Sequence, residues 1–277
     1  MIIVTINTTT METKIQLYEK IKTVVSFFSR HLKFDKFKNT IGRKLALPIE
    51  DILAASLFKQ KNHIAAKKSV YEIIEPNCSY KTLVVNMNRF SYLAAIIFAR
   101  LMKINRAHSH PVKHIDSTDI PVCLFKNANA HKTMKGLAKF GHNSKGTYFG
   151  LKMHLITDLK RRILRVIFTA GNRDDREMVI PLSKDLIGIF MTDAGYISKD
   201  LAREFYQEHK RYFIAKPKAN MKKMMTKFQE MLYQTRALIE VNFRDLKLFY
   251  GLVASLPRSV DGYLANYIYS LLAYQII

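Results

Sequence analysis

The sequence has few cysteines, no long apolar run and few acidic residues for its length. Only Cys78 and Cys123 occur among 277 residues, which excludes a disulfide framework and favours a reducing, cytoplasmic environment. No run of about 18 apolar residues occurs, so we expect no membrane partner. No basic region precedes the apolar residues of MIIVTINTTTMETK, so the N-terminal stretch does not read as a signal peptide. Internal repeats and low-complexity tracts are also lacking.

The shortage of acidic residues is the main compositional signal. The chain has 45 Lys and Arg against 22 Asp and Glu, and its net charge is +23. Hydrophobic residues make up 48% of the chain, which is enough for a sizeable core. A large positive excess favours phosphate polymers as partners, although many other basic proteins share it. We therefore expect a protein that binds DNA or RNA.

The N-terminal part, residues 1–105, is predicted to be a helical domain. Residues 1–13 carry no pattern, and Met11 is an alternative to Met1 as the start because a clean helix begins near it. Later apolar residues recur every three or four positions, which is typical of helices. Ser79 is a candidate N-cap for one long helix over residues 80–102. This region is predicted to be a helix-turn-helix that contacts DNA through Lys81 and Arg89; the alternative is a packing domain whose polar face is only solvated.

The C-terminal part, residues 110–277, is predicted to be an α/β domain with a mixed sheet. Strand-like runs alternate with helices, and the last run, 263–277, is expected to pack on the sheet or to serve a dimer. A long basic insertion, residues 121–146, follows the first strand. Such loops are usually functional, and we expect this one to hold the DNA backbone through three lysines, Lys132, Lys135 and Lys139.

Three acids are candidate ligands for two metal ions. Asp116 and Asp193 stand where strands are predicted to end, and Glu240 stands on a long helix predicted from about 221 to 249. Carboxylates from neighbouring strands and a facing helix can hold two Mg²⁺ ions about 3.5–4 Å apart for displacement at phosphorus. In a continuous helix, Glu240 shares one stripe with three residues suited to phosphate, Tyr233, Arg236 and Lys247. The alternative for this stripe is a solvated ion-pair ladder.

Several motifs occur in the order of a known family. The pattern Tyr-x2-Arg-x3-Glu-x6-Lys around Glu240 resembles the signature around the last acid of bacterial insertion-sequence transposases of the DDE class. IDSTDIPVC resembles the segment around their first Asp, and TDAGYIS is similar to the segment around their second. TAGNRDDRE and KGLAKFGHNSKGTYFGLKMHLI resemble the stretches that follow the third strand and lead into the second. One departure is Ala194, where relatives often have Lys.

The resemblance implies a ribonuclease-H-like mixed sheet with flanking helices, preceded by an all-helical N-terminal domain. The first and fourth strands would lie side by side and bring Asp116 and Asp193 together. With Glu240, these aspartates would be the catalytic acids and would hold two Mg²⁺ (or Mn²⁺) ions. The other signature residues, Tyr233, Arg236 and Lys247, would contact DNA near the scissile phosphate.

The function implied is cleavage of DNA at the ends of a mobile element and joining of the 3′-hydroxyls to target DNA. The partners would be double-stranded DNA, namely terminal inverted repeats and target, and a second copy of the chain, because two ends require two sites. The location would be the bacterial cytoplasm, at the nucleoid. Two alternatives remain open: a decayed remnant that only binds DNA, and a ribonuclease-H-like nuclease without strand transfer.

Overall fold

The computed structural model describes residues 14–37, 44–209, 211–217, 221–222, 224–254 and 257–276. The choice between Met1 and Met11 lies outside the described residues. Within them the chain forms ten α-helices: α1 Lys14–His31, α2 Ile49–Lys61, α3 Lys67–Ile74, α4 Tyr80–Arg89, α5 Ser91–Ala107, α6 Val179–Ser183, α7 Lys199–His209, α8 Lys227–Gln234, α9 Ala237–Leu248 and α10 Val260–Ile276. The described strands are β1 Val112–Pro121, β2 Lys139–Asn143, β3 Gly146–Asp158, β4 Ile163–Ala170, β5 Ile189–Thr192 and β6 Tyr212–Ala215.

The chain divides into two compact units. One, the helical unit, contains the described residues up to Ala99 together with those from Leu246 onward. The other, the sheet unit, spans Arg100–Asp245. This division differs from the predicted domains, residues 1–105 and 110–277, because the C-terminal segment groups with the N-terminal helices. The predicted domains stay a sequence-based expectation.

The helical unit is organised around α2. Ile52, Leu53 and Leu57 of this helix are fully buried, and α1, α4 and α10 pack around it. Gln60 on α2 joins it to α10, because its Nε2 donates to Asn266 Oδ1 over 2.8 Å. The C-terminal run therefore packs in the helical unit, and the expectation that it packs on the sheet is corrected. The sequence of α10 is apolar on nearly all sides, which indicates a buried helix but does not indicate which element it packs against.

The helix predicted over residues 80–102 is two helices. Ser79 is the N-cap of α4, as predicted, and its Oγ accepts a hydrogen bond from the Thr82 N–H. The chain then leaves the helix at Phe90, and Ser91 Oγ donates to the Asn88 carbonyl over 2.8 Å at the junction. In the described part of the chain, no helix alone has the length and apolarity to span a membrane. Among the described helices, only α4 and α5 taken together reach that length and apolarity, and a bend of 40° separates them.

The sheet unit contains a curled mixed sheet of ribonuclease-H-like class, which confirms the predicted fold. Its strand order is β2-β3-β1-β5-β6, and β4 also pairs with β3. The pairs β1–β3, β2–β3 and β3–β4 are antiparallel, whereas β1–β5 and β5–β6 are parallel. A buried cluster that includes Ile115, Phe190 and Phe205 forms the core, and helices flank the sheet at α6 and α7.

The basic insertion is shorter than predicted, because Lys139–Asn143 forms a strand, β2. Residues Phe125–Asn127 form a short 3₁₀ helix, and β2 then pairs with β3 as a hairpin. Gly146 has a φ of +124° at the turn, which glycine adopts readily. The alternation in β2 was hard to recognise because only Gly141 of its five residues is buried.

Gly150 allows β1 and β3 to pair closely, and it generates a stability prediction. A Cβ at this position would lie 2.2 Å from the Ile120 carbonyl oxygen, whereas a Cβ at Gly195 would meet nothing within 4 Å. We expect Gly150→Ala to destabilise the protein by about 1–3 kcal/mol because the strands must shift. Gly195→Ala, the matched control, should change stability by less than about 0.5 kcal/mol. Thermal denaturation of both variants tests this, and equal melting temperatures would contradict it.

Candidate active site

The pairing of β1 with β5 places two aspartates at the same level along neighbouring strands. The parallel register runs from Val112↔Ile189 to His114↔Met191. Asp116 and Asp193 each follow the last of these pairs by two residues, so the two carboxylates emerge at equivalent positions. The implied pairing of the strands that lead to Asp116 and Asp193 is therefore observed, although the unpredicted strand β2 makes the second of them the fifth strand and not the fourth.

Asp116 does not stand at a strand end, which corrects the prediction. It lies in the middle of β1, opposite Leu155 of β3. The strand continues to Pro121 because β3 remains a partner after β5 has ended. At Asp116, β1 is therefore still paired with β3 on one side. On its other side the pairing with β5 has already ended.

Asp193 stands directly after β5 and before a 3₁₀ helix formed by Ala194–Tyr196. Its own side chain is exposed, whereas Tyr196 is buried and belongs to the core cluster. Burial, together with the nearby Asp116, raises the pKa of Tyr196 well above its ordinary value. The tyrosine of the TDAGY stretch therefore anchors the turn that presents Asp193.

The long helix predicted over residues 221–249 is two helices, α8 and α9. Tyr233 lies on α8, Arg236 lies in the turn between the helices, and Glu240 lies on α9. At the break, Thr235 Oγ1 donates to the Leu232 carbonyl over 2.6 Å, and the Arg236 N–H bonds the Tyr233 carbonyl in a tighter, three-residue turn. The prediction that Tyr233, Arg236, Glu240 and Lys247 share one stripe of a continuous helix is therefore wrong, because the helix is interrupted at Thr235 and Arg236.

The break between α8 and α9 is fixed to the sheet. Thr235 Oγ1 lies 2.8 Å from Nε2 of the buried His114, which is two residues before Asp116 on β1. Burial lowers the pKa of His114 to about 4, so the imidazole is neutral at physiological pH. This contact places Arg236, the next residue, beside Asp116.

Helix α9 is fixed to the turn between β3 and β4. Arg161 of that turn forms an ion pair with Asp245, and its Nε donates to Asn242 Oδ1 over 2.9 Å. Asn242 is fully buried and returns a bond from Nδ2 to the Arg161 carbonyl over 3.2 Å. The helix that carries Glu240 is thus held at a defined position in the sheet unit.

Arg236 bridges two of the three candidate acids. Its Nη1 lies 2.9 Å from Asp116 Oδ2, and its Nη2 forms an ion pair with Glu240 Oε1. Asp116 Oδ1 accepts from the Ser117 N–H over 2.8 Å. The guanidinium therefore supplies the positive charge on which the Asp116 and Glu240 carboxylates converge.

The pKa values of this ion pair reflect burial opposed by charge. Burial raises the pKa of Asp116 from 3.8 to about 6, although the Ser117 N–H and Arg236 both favour the charged carboxylate. Burial alone would lower the pKa of Arg236, but Asp116, Tyr233 and Glu240 together raise it. Asp116 is therefore ionised at neutral pH, yet its charge is poorly solvated and needs a cation.

Tyr233 links the third acid to this cluster. Its hydroxyl donates to Asp193 Oδ1 over 3.3 Å, and the Arg236 guanidinium lies 5.7 Å from its ring centre. Lys216, which follows β6, lies 5.5 Å from the same ring. We did not predict Lys216, and the only available signal was the basic KPK segment after a strand.

The remaining predicted residues lie elsewhere. Lys247 is in the last turn of α9. Lys132, Lys135 and Lys139 are exposed, and Lys139 begins β2. Lys81 and Arg89 are exposed on α4 of the helical unit. Of the predicted residues, the structure thus brings together Asp116, Asp193, Tyr233, Arg236 and Glu240.

A fourth acid, Asp175, acts on the cluster electrostatically. It forms an ion pair with Lys152 over 3.0 Å, and its charge contributes to the raised pKa of Asp116. The neighbouring Asp174 instead pairs with Arg176 over 2.7 Å on the surface. The TAGNRDDRE stretch signalled Asp175, but sequence alone did not distinguish these two aspartates.

The cluster suits a hard cation in its chemistry, although its acids are not gathered around one point. In the described part of the chain, no group of three or more His, Cys, Asp or Glu side chains could hold a metal ion. The donors available are carboxylate oxygens, which Mg²⁺ prefers. Two of them already converge on a positive charge, and the buried Asp116 favours such a charge.

The fold and the cluster define a class: a ribonuclease-H-like sheet with one aspartate on a strand, a second directly after the neighbouring strand, and a glutamate on a helix. The profile of the transposase DDE domain matches residues 106–259, more than half of the chain. The chain therefore belongs to the DDE transposase family, which confirms the family-level resemblance. No curated protein matches the chain.

The raised pKa of Asp116 predicts a pH-dependent stability. The folded chain binds this proton more tightly than the unfolded chain, so the Asp116 charge lowers stability as pH rises from about 4 to about 6. Asn carries no such charge. We expect the stability of Asp116→Asn relative to wild type to increase over this window and to level off above it.

Chemical denaturation at several pH values in metal-free buffer measures this difference. Asp200→Asn, which removes an exposed carboxylate on α7, controls for the general loss of one negative charge. Parallel stability profiles for Asp116→Asn and wild type would contradict the assignment.

Proposed function

We propose that the protein is a DNA transposase that cleaves phosphodiester bonds at the ends of a mobile element and joins the 3′-hydroxyl ends to target DNA. The observation that carries this proposal is the convergence of Asp116 and Glu240 on Arg236, with Asp193 joined through Tyr233. Membership of the DDE transposase family supports it. The Tyr-Arg-Glu-Lys spacing favours the insertion-sequence group that carries this signature.

Asp116, Asp193 and Glu240 would hold divalent metal ions, Mg²⁺ or Mn²⁺, two in each site. When bound, such ions activate an attacking water or hydroxyl and stabilise the leaving oxygen. The carboxylates supply hard oxygen donors, and the charge of the ions would add to that of Arg236 in compensating the poorly solvated Asp116. Arg236 must then give up part of its contact with these acids.

The released guanidinium of Arg236 is suited to a phosphate. Its planar donors match two oxygens of a phosphodiester, and Thr235 holds the turn that carries it close to the acids. Tyr233 would orient the strand through its hydroxyl beside Asp193. Lys216 lies within reach of the same ring and would neutralise a neighbouring phosphate.

Double-stranded DNA is the proposed substrate, both as terminal inverted repeat and as target. Lys247, Lys81 and Arg89 are proposed backbone contacts, and a homodimer would supply one site for each end. The proposed location is the bacterial cytoplasm, at the nucleoid.

Cleavage of labelled duplex DNA that carries the element's own terminal repeat tests the catalytic role of Glu240. With Mg²⁺ or Mn²⁺, we expect wild type to nick this DNA and Glu240→Gln to lose at least about 100-fold in rate, because a lost carboxylate removes a metal ligand. Glu230→Gln is the matched control, since Glu230 is an exposed acid on α8. DNA binding should survive both substitutions.

Joining is tested separately with pre-cleaved ends. Ends with a 3′-hydroxyl should be joined to target DNA, whereas 3′-dideoxy ends should not. Cleavage without joining would identify a nuclease without strand transfer. Tight binding without cleavage by any variant, wild type included, would identify a binding-only remnant and overturn the proposal.

The salt dependence of binding tests the insertion lysines. Neutralising Lys132, Lys135 and Lys139 to Gln should reduce the slope of log K against log salt by up to roughly 0.9 per lost phosphate contact. The control removes three exposed cations elsewhere in the sheet unit: Lys184, Lys199 and Arg203. Equal slopes for the two triple variants would exclude a specific role for the insertion.

A further inference from the structure

The helical unit contains a cavity lined by cations. Its volume is about 490 Å³, and it lies between α2, α3, α4, α10 and the segment that precedes α10. This size is within the range of about 300–1,000 Å³ that is typical of small-molecule sites. Lys59 and Lys67 line it, with Arg258 from the segment before α10. Its described lining residues include no Asp or Glu.

The two lysines are held by neutral groups. Lys59, only 8% exposed, donates to Gln60 Oε1 over 3.4 Å. Lys67 donates to Asn88 Oδ1 over 2.5 Å. Each ammonium has three donors, and amide oxygens provide no counter-charge. Buried cations are normally paired with anions because burial removes their hydration.

The polar framework around the lysines is preformed. Gln60 Nε2 is fixed by the carbonyl and the side chain of Asn266 on α10, over 3.0 and 2.8 Å. Its Oε1 is thereby directed towards Lys59. Asn266 Nδ2 in turn donates to the Gly251 carbonyl over 2.8 Å. The amide that holds Lys59 is therefore fixed by bonds between α2 and α10.

Burial disfavours the charged form of both lysines. Burial lowers the pKa of Lys59 to about 8. Burial and the charge of Lys59 lower the pKa of Lys67 to about 8 as well. An anion between these ammonium groups would offset both costs. Neutral polar side chains such as Gln60 and Asn266 line part of the cavity, and apolar or aromatic side chains, including Val84, Met87 and Tyr269, line the rest.

We propose that this cavity binds a nucleotide, with its phosphate at Lys59 and Lys67 and its base against the wall formed by α4 and α10. The combination of the buried Lys59, the partly buried Lys67 and the apolar and aromatic side chains of α4 and α10 matches a phosphate attached to a flat, weakly polar group. A free nucleotide and a nucleotide within DNA share this chemistry. The site is distinct from the acid cluster, and the proposal does not rest on catalysis there.

A fluorescent dAMP analogue and the full-length protein test the proposal by fluorescence anisotropy. We expect saturable binding that is roughly tenfold or more weaker in Lys59→Met and in Lys67→Met, because each loses a charge-assisted hydrogen bond. Lys68→Met is the matched control: Lys68 is the next residue on α3, its side chain is 56% exposed, and it does not line the cavity. Its affinity for the probe should equal that of wild type.

Competition experiments separate the contribution of the phosphate from that of the base. They also distinguish a free nucleotide from a nucleotide within DNA. Unlabelled dAMP should displace the probe far better than deoxyadenosine. Displacement by dAMP but not by a short single-stranded oligonucleotide identifies a free nucleotide, and displacement by the oligonucleotide identifies DNA; both support the site.

Thermal denaturation without ligand controls for a folding defect. Both Met variants should melt at or above the wild-type temperature, because each substitution removes a cation that has no anionic partner among the contacts described above. Equal probe affinity in wild type and both variants, no binding, or equal competition by deoxyadenosine would overturn the proposal. Loss of DNA cleavage in Glu240→Gln has no bearing on this result.

Discussion

The ion pairs of Arg236 are the interaction on which the candidate site depends. Asp116 stands on a central strand and Glu240 on a helix, and their negative charges would repel each other without a cation between them. The guanidinium contacts both, so it joins the strand to the helix. Thr235 and His114 determine where the guanidinium lies. Arg236 thereby offsets the repulsion between the acids, so that the folded chain can hold them close together.

In the sheet unit, buried residues and the acids of the cluster have different roles. Buried residues such as Tyr196 and Asn242 fix the backbone on which the acids stand, while the acids differ in exposure. Asp116 is largely buried, whereas Asp193 and Glu240 face solvent. One carboxylate therefore depends strongly on a cation and two remain accessible to ions and substrate from outside. Carboxylates of the same chemical type acquire different properties from their positions.

Much of the fold class and most of the cluster could be predicted, because motifs and hydrophobic periods are local. The errors arose where distant contacts decide. A three-to-four spacing continues through Thr235 and through Phe90, yet side-chain hydrogen bonds break both helices. Lys216 approaches Tyr233 only after β6 has joined the sheet. The sheet-unit strand β2 carries one buried residue, which is too few to produce an alternating pattern.

The helical unit is assembled from both ends of the chain. Gln60 and Asn266, which bond to each other, are 206 positions apart in sequence, and closing so long a loop costs conformational entropy before the contact forms. During synthesis, α2 therefore lacks the α10 surface that covers it until Val260–Ile276 has left the ribosome, whereas the residues of the sheet unit emerge earlier. A premature stop near the C-terminus would leave the sheet unit's own sequence whole and expose the apolar core of the N-terminal helices.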